Sequence, residues 1–345
     1  MATINDVAKR AGVSPTTAKR AVRTPHLLAP ETLARVQSAI HELRYEPDQV
    51  ASSLRTGQSR TLGLIVGSVV EPFFAELIRA IAHEVQRRAY TLLIADSEYR
   101  AKLELEHLRN MNGHRIEGLI VRSGYGSANL DYMERMQAQG VSIVEIDYFY
   151  PSSPFSHVML DSRQCIHDGI TYLKELGHRC IAPLGTYHET VNPEERSFCF
   201  PEVMNAAGLS VPDEYRRVIR FTEDEAYTLT HDLMRSKEPP TALFAFTGNL
   251  GMGAYRALRE LGLRIPDDIS LLTFDNYAWT NLVDPPIDVI EQPTKEMGQA
   301  AVDILFQAIE RKGKETQPKD TQPEVVRRRF PGRLLERCSS APPRE

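Results

Sequence analysis

Thr3-Ile4-Asn5-Asp6-Val7-Ala8-Lys9-Arg10-Ala11-Gly12-Val13-Ser14-Pro15-Thr16-Thr17-Ala18-Lys19-Arg20-Ala21-Val22-Arg23 reads as two short helices joined by a tight turn. Thr3, with Asp6 three residues on, is a capping-box-like start, and Ile4, Val7, Ala8 and Ala11 recur on one helical face. Gly12 stops that helix. Ser14 caps the next, and Pro15 takes its first position, where a missing N–H breaks no hydrogen bond. Helices this short are marginal alone. Ala8, Val13, Ala18 and Val22 are therefore expected to pack on a third helix that starts at Pro30 and carries Leu33, Val36, Ile40 and Leu43, although Ala29 is a poor cap for it.

In a helix-turn-helix the second helix enters the major groove N-terminus first. Its exposed early side chains here are Pro15, Thr16, Lys19 and Arg20. Arg20 matches guanine O6 and N7, and Thr16 suits a thymine methyl or a polar base edge. Ser14, Thr17, Lys19 and Arg23 lie closer to phosphates. A plain helical bundle with a solvated basic face would look similar locally. Charge distribution separates the two readings. Residues 1–60 hold nine Lys/Arg against five Asp/Glu, a net of +4, whereas the whole chain is −5, which leaves −9 for the rest. A basic headpiece on an acidic body is the asymmetry of a modular DNA binder.

These residues resemble the lactose-repressor-like (LacI/GalR) transcription regulators, and the resemblance runs from residue 3 to about residue 330. Thr3, Ile4, Asp6, Val7, Ala8, Ala11, Gly12, Val13, Ser14, Thr17 and Arg20 keep the family's opening pattern. Ala18, Lys19, Ala21 and Arg23 depart from it, and two of them add positive charge, which implies a steeper salt dependence. Residues 46–60 read as a linker with one short helix from Gln49 to Arg55, capped by Asp48. The resemblance makes this a hinge helix that orders over the minor groove, with Leu54 as the wedge that kinks the duplex and Arg55 along the groove wall. Tyr45 and Ala51 complete the expected DNA-binding set.

The remaining chain alternates short apolar runs with amphipathic stretches. Strands are expected at 61–66, 91–95, 118–121, 180–184, 217–221, 242–246 and 269–274, with helices between them. Such alternation implies an α/β fold with parallel sheets covered on both faces. About 285 residues of this kind exceed one comfortable core, so two doubly wound subdomains of periplasmic-binding-protein type are expected. The expected division is 1–47 headpiece, 48–60 hinge, and 61–330 body, with subdomains of 61–160 plus 290–320 and 161–289 plus 321–330. Residues 331–345, rich in Pro, Arg and Ser, look like a disordered tail.

Ligands of open parallel sheets bind beyond the carboxyl ends of the strands. Arg122, Asp147, Phe221, Thr247 and Asp275 stand there, and Phe73 and Phe74 open a helix. The resemblance implies that Arg196 and Asp275 hold the effector and adds Gln292, from Glu291-Gln292-Pro293. A surface ion pair of Arg196 with Glu194 or Glu195 is the competing reading. Where the family has Asn-Asp, this chain has Thr247-Gly248, which removes a carboxylate and an amide. Arg122 facing Arg196 across a cleft short of one acid favours an acidic or phosphorylated sugar. Pairing of Arg122 with Asp147 or Asp275 would remove that preference.

Phosphate-loop, zinc-protease and nucleophile-elbow motifs are absent from the sequence, so neither an enzyme nor a cofactor is expected. Cys165, Cys180, Cys199 and Cys338 form no Cys-x-x-Cys pair and suit a reducing compartment. No metal site is expected. Without an apolar export segment or a membrane span the chain is expected to be cytoplasmic. The expectation is thus a homodimeric repressor of a pseudo-palindromic operator, controlled by a small-molecule effector, a sugar or sugar derivative. The alternatives are a regulator with a degenerate pocket governed by a protein partner, and a sugar-modifying enzyme with a DNA-binding appendage.

Overall fold

A computed structural model describes residues 2–46, 58–124, 127–149, 153–185, 195–217, 219–314 and 325–344. The chain divides between Arg60 and Thr61 into two compact units.

The first unit holds α1 (Ile4–Ala11), α2 (Pro15–Arg23) and α3 (Pro30–Leu43). Thr3 and Asp6 form the expected box: the Asp6 N–H donates to Thr3 Oγ1 at 3.3 Å, and the Thr3 N–H to Asp6 Oδ2 at 2.8 Å. Gly12 ends α1 in the left-handed region at φ 64, and Ser14 Oγ accepts the Thr17 N–H at 3.1 Å. Ala29 contributes no side-chain cap to α3. Val7, Ala8, Ala11, Ala18, Ala21, Val36 and Ala39 make the core. Val22, expected inside, is exposed instead. Ala18 and Ala21, three apart on one helical face, take the buried positions.

The second unit contains two sheets. The chain first builds β1 (Thr61–Val66), α4 (Pro72–Arg87), β2 (Thr91–Asp96), α5 (Ala101–Gly113), β3 (Gly118–Val121), α6 (Leu130–Ala138), β4 (Ser142–Ile146) and β5 (Ser156–Leu160). It then builds α7 (Ser162–Glu175), β6 (Ile181–Leu184), α8 (Glu195–Ala206), α9 (Glu223–Met234), β7 (Ala242–Ala245), α10 (Gly248–Glu260), β8 (Ser270–Phe274), α11 (Ala278–Leu282) and β9 (Asp288–Glu291). Next, α12 (Thr294–Lys314) packs against α4 and β4 of the first sheet. Finally β10 (Arg327–Phe330) and β11 (Arg333–Leu335) join one sheet each. The first sheet runs β10-β5-β4-β3-β1-β2 and the second β11-β9-β8-β7-β6. Only the β11–β9 pair is antiparallel among the pairings described. Buried strands such as β3, β4, β7 and β8 carry no exposed residue, as helices on both faces of a parallel sheet require.

Three expectations need correction. No strand forms among the described residues of the stretch expected at 217–221. Arg217 Nε turns back to the Glu214 carbonyl at 3.1 Å, and the Arg220 N–H and guanidinium bind Glu225. Local polar contacts thereby compete with sheet pairing. Residues 327–330, assigned to the second subdomain, instead pair with β5 of the first. The residues from 331 to 344 are ordered. β11 pairs with β9, and fully buried Ser339 donates to the Leu271 carbonyl at 2.6 Å while accepting the Asp288 N–H at 2.7 Å. His178 is bonded to the Ala341 carbonyl and to Thr241 and Ser270 hydroxyls. A polar composition mimics disorder, yet here each of these groups finds a tertiary partner.

Candidate functional site

α2 presents Ser14, Thr16, Lys19 and Arg20 as exposed side chains, with Thr17 half-buried. The arrangement follows from phase: Ala18 and Ala21 turn inward, so the residues between them turn outward. Ser14 also bonds Thr17 Oγ1 at 2.9 Å, so the cap pair is fixed while Thr16, Lys19 and Arg20 remain available. Tyr45 is half-buried and packs against the headpiece core. Arg23 closes α2. Ala51, Leu54 and Arg55 lie outside the described residues.

In the body, Phe73, Phe74, Arg122, Asp147, Arg196, Phe221, Thr247, Asp275 and Gln292, all expected from the sequence, line one cavity of about 190 Å³. It opens beyond the carboxyl ends of the strands of both sheets: Arg122 follows β3, Asp147 follows β4, Asp275 follows β8 and Gln292 follows β9. Asp147 and Asp275 occupy matching places in the two sheets, both with backbone in the left-handed region, at φ 66 and 71. Non-glycine residues held there cluster at functional sites.

Arg122 is buried. Its guanidinium contacts the rings of Tyr99 and Tyr148, 4.8 and 4.9 Å from their centroids. Its Nε reaches Asp147 Oδ2 at 3.4 Å, and one terminal nitrogen donates to the Ser123 carbonyl at 3.0 Å. Two buried carboxylates brace this strand end. Glu145 accepts from the hydroxyls of Ser123 and Ser153, and Glu104 from the Gly124 N–H and the Asn129 amide. The pairing with Asp147 offsets the charge of Arg122, so Arg122 facing Arg196 no longer favours an acidic or phosphorylated ligand.

Arg196 points inward. It donates to the Phe246 carbonyl at 2.7 Å and lies 4.3 Å from the Phe274 ring centroid. Asp275 accepts from the Gly248 N–H at 2.9 Å and from Gln292 Nε2 at 2.6 Å. Burial raises its carboxyl above the usual range, opposed by Arg196 and those two hydrogen bonds. Since Gln292 Nε2 is committed to Asp275, its oxygen orientation is set. That buried oxygen has no partner among the described residues, which suits a ligand that donates a hydrogen bond.

Thr247-Gly248 also has a structural explanation. Thr247 caps α10 by accepting the Leu250 N–H at 3.3 Å. A Cβ at Gly248 would lie 2.4 Å from the Tyr277 ring, so the missing side chain makes room for a tyrosine. Tyr277 lines the cavity, and burial next to Asp275 and Glu71 pushes its hydroxyl pKa upward. The rim exchanges a carboxylate for a phenol rather than losing its lining. Gly67 does the same for Tyr99, whose ring would lie 2.3 Å from a Cβ there.

Glu71, Tyr99, Tyr148, Phe149, Phe198 and Tyr277 also line the cavity but were not among the expected site residues. Most sit in loops, where periodicity carries no signal. Glu71 was legible as the first residue of Glu71-Pro72-Phe73-Phe74, where a polar residue precedes a helix that begins with proline. No group of three His, Cys, Asp or Glu residues suited to a metal occurs among the described residues.

Comparison with known proteins agrees with this arrangement. Residues 3–48 match the family described as bacterial regulatory proteins, lacI family, and residues 170–329 a periplasmic binding protein-like domain. The HTH-type transcriptional repressor PurR of Pectobacterium carotovorum is 32% identical over 332 residues, 95% of this chain and 96% of that protein. The fold is that of the lac repressor dimer bound to operator and the anti-inducer ONPF, with a TM-score of 0.83, 22% identity and coverage of 99% of both chains. A LacI family regulator from Enterococcus faecium with bound ribose matches with a TM-score of 0.68 and 25% identity over 82% of this chain and 99% of that one. Helix-turn-helix, twin parallel sheets and near full-length similarity converge: the chain belongs to the lacI family of bacterial regulatory proteins.

Proposed function

We propose that this protein is a cytoplasmic, homodimeric transcriptional repressor whose operator affinity responds to a small polar ligand held in the cleft between the two sheets. The observation that carries this reading is the convergence of nine expected residues from both sheets on one cavity, in a chain whose α2 presents Thr16, Lys19 and Arg20 outward. Two copies of α2 would read the halves of a pseudo-palindromic operator. A ligand acts only if its affinity differs between two arrangements of the body.

Aromatic walls with a few convergent polar groups suit a sugar or sugar derivative, and related structures hold ribose and cellobiose. The balanced Arg122–Asp147 pair favours a neutral form over an acid or phosphate. Exposed apolar Val70, Ile94 and Leu282 are consistent with a further protein surface being covered, and four cysteines outside any disulfide with a reducing compartment. No helix among the described residues is long and apolar enough to cross a membrane.

The test is selection of a duplex from a random library, followed by anisotropy titration with and without a panel of sugars and nucleobases. Expected are a two-half-site operator, a mass of two chains by light scattering, and a ligand that shifts operator affinity. Equal affinity for selected and random duplexes would refute the reading.

A further inference from the structure

Resting on the reading of the cleft as an effector site, we propose that Glu71 is its specificity-determining residue, meeting the ligand as a neutral carboxylic acid that donates a hydrogen bond. The site then selects uncharged molecules bearing both acceptor and donor groups.

The geometry leaves Glu71 one open oxygen. Its Oε1 accepts the Tyr99 hydroxyl at 2.9 Å, and its Oε2 has no partner among the described residues, although the residue lines the cavity. The charged and titratable groups that act on it are Tyr99 after β2, Arg122 after β3, Asp147 after β4, and Asp275 with Tyr277 after β8, while Arg196 of α8 and Arg329 of β10 also line the cavity. Arg122 already reaches Asp147, and Arg196 is the cation that steadies Asp275. A third carboxylate at Glu71 would have a phenol for its neighbour and, among the described residues, no guanidinium hydrogen-bonded to it. Burial beside the carboxylates of Asp147 and Asp275 therefore favours the neutral form of Glu71, against the opposing pull of Arg122.

Burial raises this carboxyl to about 7, with Asp147 and Asp275 adding to the rise and Tyr99 and Arg122 opposing it. A protonated Glu71 supplies an O–H to a ligand acceptor, while the buried Gln292 oxygen, without a partner among the described residues, takes a ligand donor. Anionic ligands meet Asp147 and Asp275 instead. Since the bound form keeps the proton, affinity is greatest below the free carboxyl's pKa and falls as pH rises through it.

The experiment compares the wild-type protein with Glu71→Gln in calorimetry at about pH 6 and about pH 8.5. The probes are D-ribose, cellobiose and uracil as neutral molecules, and D-gluconate, D-glucuronate and inorganic phosphate as anions. In parallel, carbon-13 carboxyl resonances of glutamate-labelled protein are titrated without ligand. Expected are a resonance missing in Glu71→Gln with a midpoint near 7, and neutral binding that weakens on the order of tenfold or more at the higher pH. Glu71→Gln, which cannot ionise, should show a flat profile. The sugar and uracil arms distinguish the two sources of such chemistry. Anions as the only binders, neutral binding with a wild-type profile already flat, or a midpoint below about 5.5 overturns the role of Glu71 while leaving an effector cleft standing. A blank panel with both proteins overturns the effector reading and this proposal together.

Discussion

At the scale of single residues, burial and pairing decide what each polar group does. Arg20 is exposed on α2, so Arg20→Ala should leave the fold intact and weaken the selected operator by about 1–3 kcal/mol, with specificity relaxed at one base pair. Lys19→Ala should weaken all duplexes alike and reduce the logarithmic salt slope by about one. Anisotropy across a salt series separates the two. Asp275 accepts two hydrogen bonds from buried donors. Its replacement by Ala leaves those donors unpaired at about 1–3 kcal/mol each, and should abolish the ligand response of operator binding while the headpiece still binds DNA. His157, buried and stacked 3.9 Å from Phe149, titrates at about 4, lowered by burial and by Arg327 and Arg329. The unfolded chain takes up that proton near pH 6.5, so the folded state is penalised as pH falls from 6.5 towards 4. Denaturant titrations at the two ends should show a loss of about 1–3 kcal/mol from this residue, and His157→Phe should flatten that limb.

At the scale of elements, close approach sets tolerance. α9 and α10 pack tightly because Gly253 has no side chain: a Cβ there would lie 2.1 Å from the Glu223 carbonyl oxygen and 3.0 Å from Ala226 Cβ. The first of these is backbone and has nowhere to go. Gly253→Val should destabilise the body by about 3 kcal/mol or more, read as a lower midpoint in urea. Gly12 contrasts with it, having open space around its Cβ position but a φ of 64. Gly12→Ala should cost about 1 kcal/mol, through backbone conformation alone.

At the scale of the molecule, the two units differ in what they bury. Among the described residues the fully buried headpiece core holds five alanines and two valines, with larger side chains such as Leu33, Ile40 and Leu43 only partly buried against it, so it removes less apolar area from water than the body and should be the less stable unit. Calorimetry should resolve a low-temperature transition that moves up when operator is added, as mass action requires, and a separate body transition. The body depends on its last residues. Deleting 333–345 removes β11 and the Ser339 contacts with Leu271 and Asp288 and exposes His178 and Ser270. A markedly lower body transition is expected, whereas a dispensable tail would leave it unchanged.

Much was legible from local order. The capping pair Thr3 and Asp6, the Gly12 stop, the Ser14-Pro15 start and the inward phase of Ala18 are decided within one or two turns of chain, so the sequence alone determined a helix-turn-helix with Thr16, Lys19 and Arg20 outward. The alternation of strands and helices likewise determined twin parallel sheets, and the rule of strand ends pointed to Arg122, Asp147, Thr247 and Asp275, to which the family resemblance added Arg196 and Gln292. Tertiary structure decided the rest, because it depends on residues far apart in the chain. That Arg122 is matched by Asp147, that Tyr277 fills the space over Gly248, and that Glu71 leans on Tyr99 follow from meetings between different loops. The same holds for β10 and the final residues, whose polar composition argues for disorder until β5, β9 and the His178 pocket supply their hydrogen-bond partners. Local patterns report a segment's own periodicity, whereas burial, pairing and charge balance belong to the assembled fold.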